Sequence, residues 1–476
     1  MELTIRAVSA QSKWCQAVRE VSVEALACAI PAATVRQVAQ RVRRPHGRAR
    51  KLTPELMLWL IISLHLFPRV AIPSVLRKLT HGLRLGWPAP EQALASASAL
   101  VYRRAQLGVR PVVQLFHAVC QPLATREQVA DAFAFGLRVV ALDGTLENLA
   151  DTPANERAFG RRASQRGRSV YPQALGLCLV ECATHVIFEA GFWPATTSEH
   201  RVAPRLLRAV TPDMLLLWDR GFHSVGLLRA VRARGAHALG RLPAHVQPHL
   251  LQRLPDGSAL AYLSPGGKGR YDPDARLLVR VVTYRLGTPA ATSTAATSTT
   301  PDTIYRLVTT LLDPQQAPAA RLAALYQSRW AIEETFDELD THLRLATRTL
   351  RSQTPVGVLQ ELYGLLLAHY AVRATMYTAA LQTQQAPDRL SFTTAVQLIT
   401  EALPDFQLLA PSQWAARWAL LLADIAQARL PQRRIRSQPR VVKRRTSKFP
   451  QKQPGQRSRP RQAGTYADWV VLLPDD

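Results

Sequence analysis

Tyr326, Arg329 and Glu333 lie three and four residues apart inside an apolar helical pattern. On an α-helix turning about 100° per residue they fall at roughly 0°, 300° and 340°, so one narrow face carries a phenol, a guanidinium and a carboxylate. Alone, an Arg and a Glu at this spacing describe a solvated surface pair. Two aspartates far upstream change that reading. Asp143 closes the apolar run Leu-Arg-Val-Val-Ala-Leu and Asp219 closes Met-Leu-Leu-Leu-Trp, each at the end of a strand pattern. Three carboxylates from two strand ends and one helix form a hard-oxygen donor set that suits Mg²⁺, with Mn²⁺ as a substitute. Two such ions about 3.5–4 Å apart stabilise the attacking and leaving oxygens of an in-line displacement at phosphorus. Asp143, Asp219 and Glu333 are therefore the candidate catalytic and metal-binding residues.

The elements that must position these groups follow from hydrophobic period and breakers. Residues 1–134 read as an all-helical domain. In it, Ile72 to Thr80, a turn-rich gap, and Ser96 to Arg104 suggest two helices of a DNA-reading unit with Arg103 and Arg104 toward phosphates; ordinary helical packing is the alternative. The basic cluster Arg41 to Lys51 adds to the backbone-binding reading. Residues 135–239 alternate strands and helices, with a hairpin from Gln173–Glu181 and His185–Gly191, which describes a mixed α/β sheet. Residues 240–315 break the alternation with antiparallel strands around the low-complexity stretch 288–300, a β-rich insertion with a disordered tip. Helices resume over 316–385, one of them running from Ala319 through Glu333 to about Leu345, and continue over 386–428. Residues 429–476 form a basic tail, with thirteen Lys and Arg and no acid between Arg429 and Arg461, expected to be disordered alone.

Composition narrows the partner. Sixty Lys and Arg against 34 Asp and Glu give a net charge of +26. The sequence pI is about 10.9, which calls for a polyanion, with nucleic acid ahead of an anionic membrane. The longest apolar run, Met57 to Phe67, contains His65 and is too short to span a bilayer, so it reads as a buried helix and no membrane is expected. The N-terminus lacks the apolar core of a secretory signal, pointing to the cytoplasm and, on DNA, to the nucleoid. Five cysteines without zinc-site spacing read as reduced, packed thiols.

Four ordered motifs carry a resemblance: Asp143-Gly-Thr, Asp151-Thr-Pro-Ala-Asn-Glu-Arg-Ala-Phe-Gly160, Leu217-Trp-Asp219-Arg-Gly-Phe222, and Tyr326-x-x-Arg329-x-x-x-Glu333. Together the chain resembles the DDE transposases of the insertion-element-four family from about residue 30 to about residue 380. The resemblance implies an RNase H-like catalytic domain with a β-rich insertion between the second Asp and the Glu, behind a helical N-terminal domain. It also implies metal-dependent cleavage at element ends and strand transfer into a target. The implied partners are double-stranded DNA with terminal inverted repeats and target DNA, engaged by a homodimer assembled on DNA. Tyr326 and Arg329 would hold the phosphate backbone, Arg220 would be a further phosphate contact, and Arg161 and Arg162 would add sequence-independent attraction.

The family pattern carries a lysine seven residues after the glutamate, and here Asp340 stands in its place. A negative charge there is expected to weaken strand transfer; Arg344, one turn on, either pairs with Asp340 or reaches DNA. Relatives that pass through a hairpin intermediate flip a base onto an aromatic of the insertion, often tryptophan. This chain has no Trp between Asp219 and Trp330, which leaves Tyr262, Tyr271, Tyr284 and Tyr305. A catalytically impaired or repurposed DNA-binding derivative is the alternative that Asp340 favours. A basic nucleic-acid scaffold would explain the charge but not three ordered acidic motifs.

Overall fold

The computed structural model describes residues 29–42, 52–80, 95–164, 167–265, 275–286, 304–431 and 465–473. Residues 43–51 of the basic cluster, Tyr271, the stretch 288–300 and residues 432–464 of the tail lie outside them. The chain forms two compact units, one of Met1–Phe133, Leu137–Val210 and Arg329–Leu430, the other of Ala134–Gly136, Thr211–Ser328 and Pro431–Asp476.

The first unit opens with helices α1 (Ala32–Gln40), α2 (Pro54–Ser63), α3 (Ile72–Leu79), α4 (Ala97–Leu107) and α5 (Arg110–Val119). Thr53 caps α2 by accepting from the Leu56 amide, with Pro54 at the first helical position where its missing N–H costs nothing. Residues 55–63 of α2 are all buried, so the apolar run is core. Among the described residues no helix is long and apolar enough to cross a membrane. Strands β1 (Leu137–Asn148), β2 (Gln173–Glu181) and β3 (Val186–Pro194) follow as an antiparallel set in the order β1-β2-β3, with Asp143 opposite Cys178. Helix α6 (Pro153–Phe159), capped by Thr152, lies between β1 and β2 in sequence. Cys120, Cys178 and Cys182 are free and buried, and burial pushes each thiol up.

In the second unit β4 (Met214–Trp218), α7 (Val225–Arg232) and β5 (His237–Arg241) form a parallel crossover. Four antiparallel strands extend it: β6 (His249–Arg253), β7 (Ala259–Leu263), β8 (Leu277–Leu286) and β9 (Ile304–Thr309), in the order β4-β5-β9-β8-β7-β6. Gly240 on β5 is required by packing, since a Cβ there would sit 2.3 Å from the Trp218 indole nitrogen. Strand β6 has no alternating pattern, because all five residues are exposed, and the hydrophobic period gives no sign of it. Helix α8 (Ala319–Leu325) closes this segment.

The chain then re-enters the first unit through α9 (Trp330–Asp337), α10 (Pro355–Gln382), α11 (Phe392–Leu408) and α12 (Trp414–Gln427). The single helix expected from Ala319 to about Leu345 is instead broken. A 3₁₀ turn spans Tyr326–Arg329 and a π-helical stretch spans Glu338–Leu343. The helices expected over 386–428 are α11 and α12, separated by a short 3₁₀ turn that opens at Pro411. The tail needs a second correction. Residues Val470–Leu472 form strand β10 on β8, and Trp469 beside them is buried. The last residues of the tail, Tyr-Ala-Asp-Trp-Val-Val-Leu-Leu, carry no Lys or Arg and have enough apolar surface to pack.

Candidate active site

In the first unit α9 brings its start onto β1. Arg329 is almost enclosed, and its two terminal nitrogens reach two carboxylates: Nη1 lies 3.4 Å from Asp143 Oδ2 and Nη2 lies 2.8 Å from Glu333 Oε1. The Asp143 and Glu333 side chains are 22% and 40% exposed, so both acids open to solvent while the cation between them does not. The remaining Asp143 oxygen accepts from the Gly144 amide at 2.8 Å. The Arg329 guanidinium also stands 5.5 Å from the ring centre of Trp330, an indole that is 55% exposed.

Four residues further along β1, on the same strand face, a second arginine makes the same kind of bridge. Arg344 Nη1 donates to Glu147 and, at 3.0 Å, to Asp340. Here the strand acid is buried, with its side chain 3% exposed. Burial pushes the Glu147 carboxyl up to about 7, the Asp340 charge adds to the shift and Arg344 offsets part of it. Asp340 is raised for the same first reason, burial, against the pull of Arg344. Of the two roles open to Arg344, the structure shows the pairing. Glu147 escaped the sequence reading, although its even separation from Asp143 on a strand was the available signal.

The second unit holds Asp219 at the end of β4, where it caps a 3₁₀ turn by accepting from the Gly221 amide at 2.7 Å. Gly221 suits the turn, since a Cβ there would lie 2.9 Å from the same Asp219 oxygen. Arg220 is exposed beside it. Tyr326 is buried, and its hydroxyl donates to the Trp218 carbonyl at 3.2 Å, anchoring the 3₁₀ turn to β4.

The other arginines divide by surroundings. Arg104 is buried and donates to Ser352 Oγ and the Gly357 carbonyl; Arg103 donates to the Leu52 carbonyl at 2.7 Å. Both make contacts within the fold, as the packing alternative expects. Arg161 pairs with Asp151 and Glu156, whereas Arg162 is exposed. Among the insertion tyrosines, Tyr284 is fully buried and stacks on Tyr305 at 5.1 Å, and Arg241 covers Tyr305 at 4.5 Å. Neither ring face is offered to an incoming base in this arrangement. Among the described residues no group of three His, Cys, Asp or Glu side chains stands together at metal-holding spacing.

Comparison with known proteins places the chain in a family. The model described as Transposase DDE domain matches residues 134–371, and the model described as Insertion element 4 transposase N-terminal matches residues 20–117. The chain belongs to the DDE transposase family. Transposase InsG for insertion sequence element IS4, from Escherichia coli (strain K12), is 29% identical over 410 residues, covering 85% of this chain and 88% of that protein. Putative transposase InsZ of the same organism is 26% identical over 198 residues, 41% of this chain and 63% of that protein. A solved structure of the piggyBac transposase synaptic complex with hairpin DNA is 10% identical, with a TM-score of 0.41 over 84% of each chain. With the family come an RNase H-like catalytic domain, DNA as the partner, and DNA transposition by an enzyme that uses divalent metal ions.

Proposed function

We propose that Asp143, Asp219 and Glu333 are the catalytic carboxylates of this transposase and that they hold Mg²⁺, with Mn²⁺ as a substitute. The observation that supports this most directly is the Arg329 bridge, in which a cation is held between two hard-oxygen donors, Asp143 and Glu333. The donor set is all carboxylate, as hard divalent cations require. When bound, the metal supplies charge stabilisation for the attacking and leaving oxygens of a phosphodiester displacement. The protein's own residues do the rest. Asp143 and Glu333 are partly open to solvent, Arg329 exchanges its carboxylate partners for a phosphate of the element end, and exposed Arg220 and Arg162 follow the backbone. Tyr326, Arg103, Arg104, Arg161 and Arg344 have partners inside the fold and act on DNA through the elements they hold. The substrates are inverted-repeat ends and a target duplex, brought together by a homodimer assembled on DNA.

The test is cleavage of DNA carrying both flanks of the gene by the wild type and by Asp143→Asn, Asp219→Asn and Glu333→Gln, in Mg²⁺, Mn²⁺ or chelator. Metal-dependent cleavage should be lost in all three variants while DNA binding persists. Undiminished cleavage in the three variants would remove the carboxylate mechanism. Specific binding without cleavage by the wild type would favour a repurposed DNA-binding derivative, the reading Asp340 supports.

A further inference from the structure

Glu338 lies five residues beyond Glu333, at the first position of the π-helical stretch, and is 7% exposed. Its Oε2 accepts from Arg373 Nε at 2.9 Å and from His369 Nε2 at 2.9 Å, and its Oε1 accepts from Arg373 Nη2, which also donates to His185 Nδ1 at 2.7 Å, 3.1 Å from the same Oε1. His369 and Arg373 are one turn apart on α10. His185 sits in the β2–β3 turn with φ at +60°, a conformation that a side chain larger than glycine adopts only when its surroundings hold it there. One buried carboxylate thus ties together α10, the β2–β3 turn and the segment that carries Glu333.

Burial favours the neutral acid, but Arg373 and the two histidines outweigh it and hold the Glu338 carboxyl well below its ordinary range. Burial, with Arg373 adding to it, lowers the pKa of both His185 and His369, while their contacts with Glu338 oppose the shift. Glu338 and Arg373 form a buried ion pair. Well-packed apolar side chains would stabilise such a position as well or better, so stability alone is weak grounds for a buried ion pair; a fixed geometry is the stronger one. A π-helical stretch shifts the phase of a helix, and its register must be held by side chains.

We propose that Glu338 is a positioning residue for Glu333, clamped by Arg373, His369 and His185 so that α9 presents its carboxylate in one orientation. The proposal rests on the catalytic reading of Glu333. It is tested on the full-length chain by Mn²⁺ binding, followed by electron paramagnetic resonance without DNA, in a double-mutant cycle of Glu338→Gln and Glu333→Gln. Loss of a group that orients a metal ligand typically costs about 10-fold or more in affinity, so Glu338→Gln should weaken Mn²⁺ binding by about 10-fold in the wild-type background. It should have no further effect once Glu333 is Gln. Glu338→Asp, which retains the charge, should recover part of the loss. Equal weakening in both backgrounds, or none in the wild type, overturns the proposal. If Glu338→Gln does not fold, His369→Leu removes a single bond and should give a smaller loss that again disappears with Glu333→Gln; the same loss in both backgrounds is the overturning result. An unchanged Mn²⁺ affinity in Glu333→Gln alone sinks the reading of Glu333 itself, and the proposal with it.

Discussion

Two arginine bridges stand on one face of β1 and differ most in how far water reaches the strand acid. At Asp143, Arg329 joins a strand acid to a helical acid four residues along the chain; at Glu147, Arg344 does the same with Asp340. Both cations are enclosed. The strand acid is 22% exposed in the first bridge and 3% exposed in the second, and the first is where the family motif falls. Water at one acid leaves it ready to exchange partners, whereas its exclusion from the other commits that acid to the fold. Charge type and spacing alone do not separate the two clusters.

Removing each cation should expose the difference most strongly. At pH 8, above the raised Glu147 value, Arg344→Ala leaves an ionised Glu147 buried beside Asp340 without its cation and should cost about 3–5 kcal/mol, read as a shift in the urea midpoint. A loss below about 1 kcal/mol would place the second bridge with surface pairs instead. Arg329→Ala should lower stability by no more than about 1 kcal/mol, because its partners can hydrate. It should nevertheless reduce binding and cleavage of element-end DNA by about 10-fold, the loss of a charge-assisted phosphate contact of about 1.4 kcal/mol.

Acidity sharpens the contrast further. In the folded chain Glu147 keeps its proton up to about pH 7, whereas in the unfolded chain it ionises near its ordinary value of 4.5. Between those values the folded state binds more protons, so this group's contribution to stability falls as pH rises from about 4.5 to about 7 and is level above that. Glu147→Gln should flatten that part of a stability–pH profile, leaving a smaller slope of the same sign from Asp340, which is also raised. A profile unchanged by the substitution would show that Glu147 is ionised in its site.

The smallest effect is expected at the residue that departs from the family pattern. Asp340 is 45% exposed on its side chain and 3.0 Å from Arg344, so Asp340→Lys places like charges together at a hydrated position and should shift stability by less than about 1 kcal/mol. It should raise strand transfer and steepen the fall of DNA binding with salt by about one unit of slope if the new ammonium meets a phosphate. Unchanged or slower cleavage would mean that Asp340 does not stand where a cation helps.

Much of this architecture was legible because strand and helix periods are local. The Gln173–Glu181 hairpin arm, the strand ending at Asp219 and the insertion strand Ala259–Leu263 need only alternation and breakers to be seen. Strand β6 has no such pattern, and β10 is a strand only because β8 offers it an edge. In the site, the Arg329–Glu333 pair follows from four-residue spacing, but the Asp143 end of the bridge spans 186 residues of chain. The π-helical register is not legible either, since it depends on Glu338 meeting Arg373, His369 and His185.

By itself the sequence determined the kinds of groups available and their local order: three acids in strand and helical contexts, a phenol and a guanidinium three residues apart, and a strongly basic balance; that Asp143 lies within β1 rather than at its end appears only in the fold. Burial was decided by the tertiary structure. It turned Arg104 and Arg344 inward and withdrew Tyr326 to the Trp218 carbonyl. It also left Asp143 and Glu333 within reach of water. The free energy of an ionised side chain depends on the dielectric and partners around it, which are set by residues distant in sequence. Two acids bridged by an arginine therefore stand open to water at one place on β1 and are closed into the fold at another.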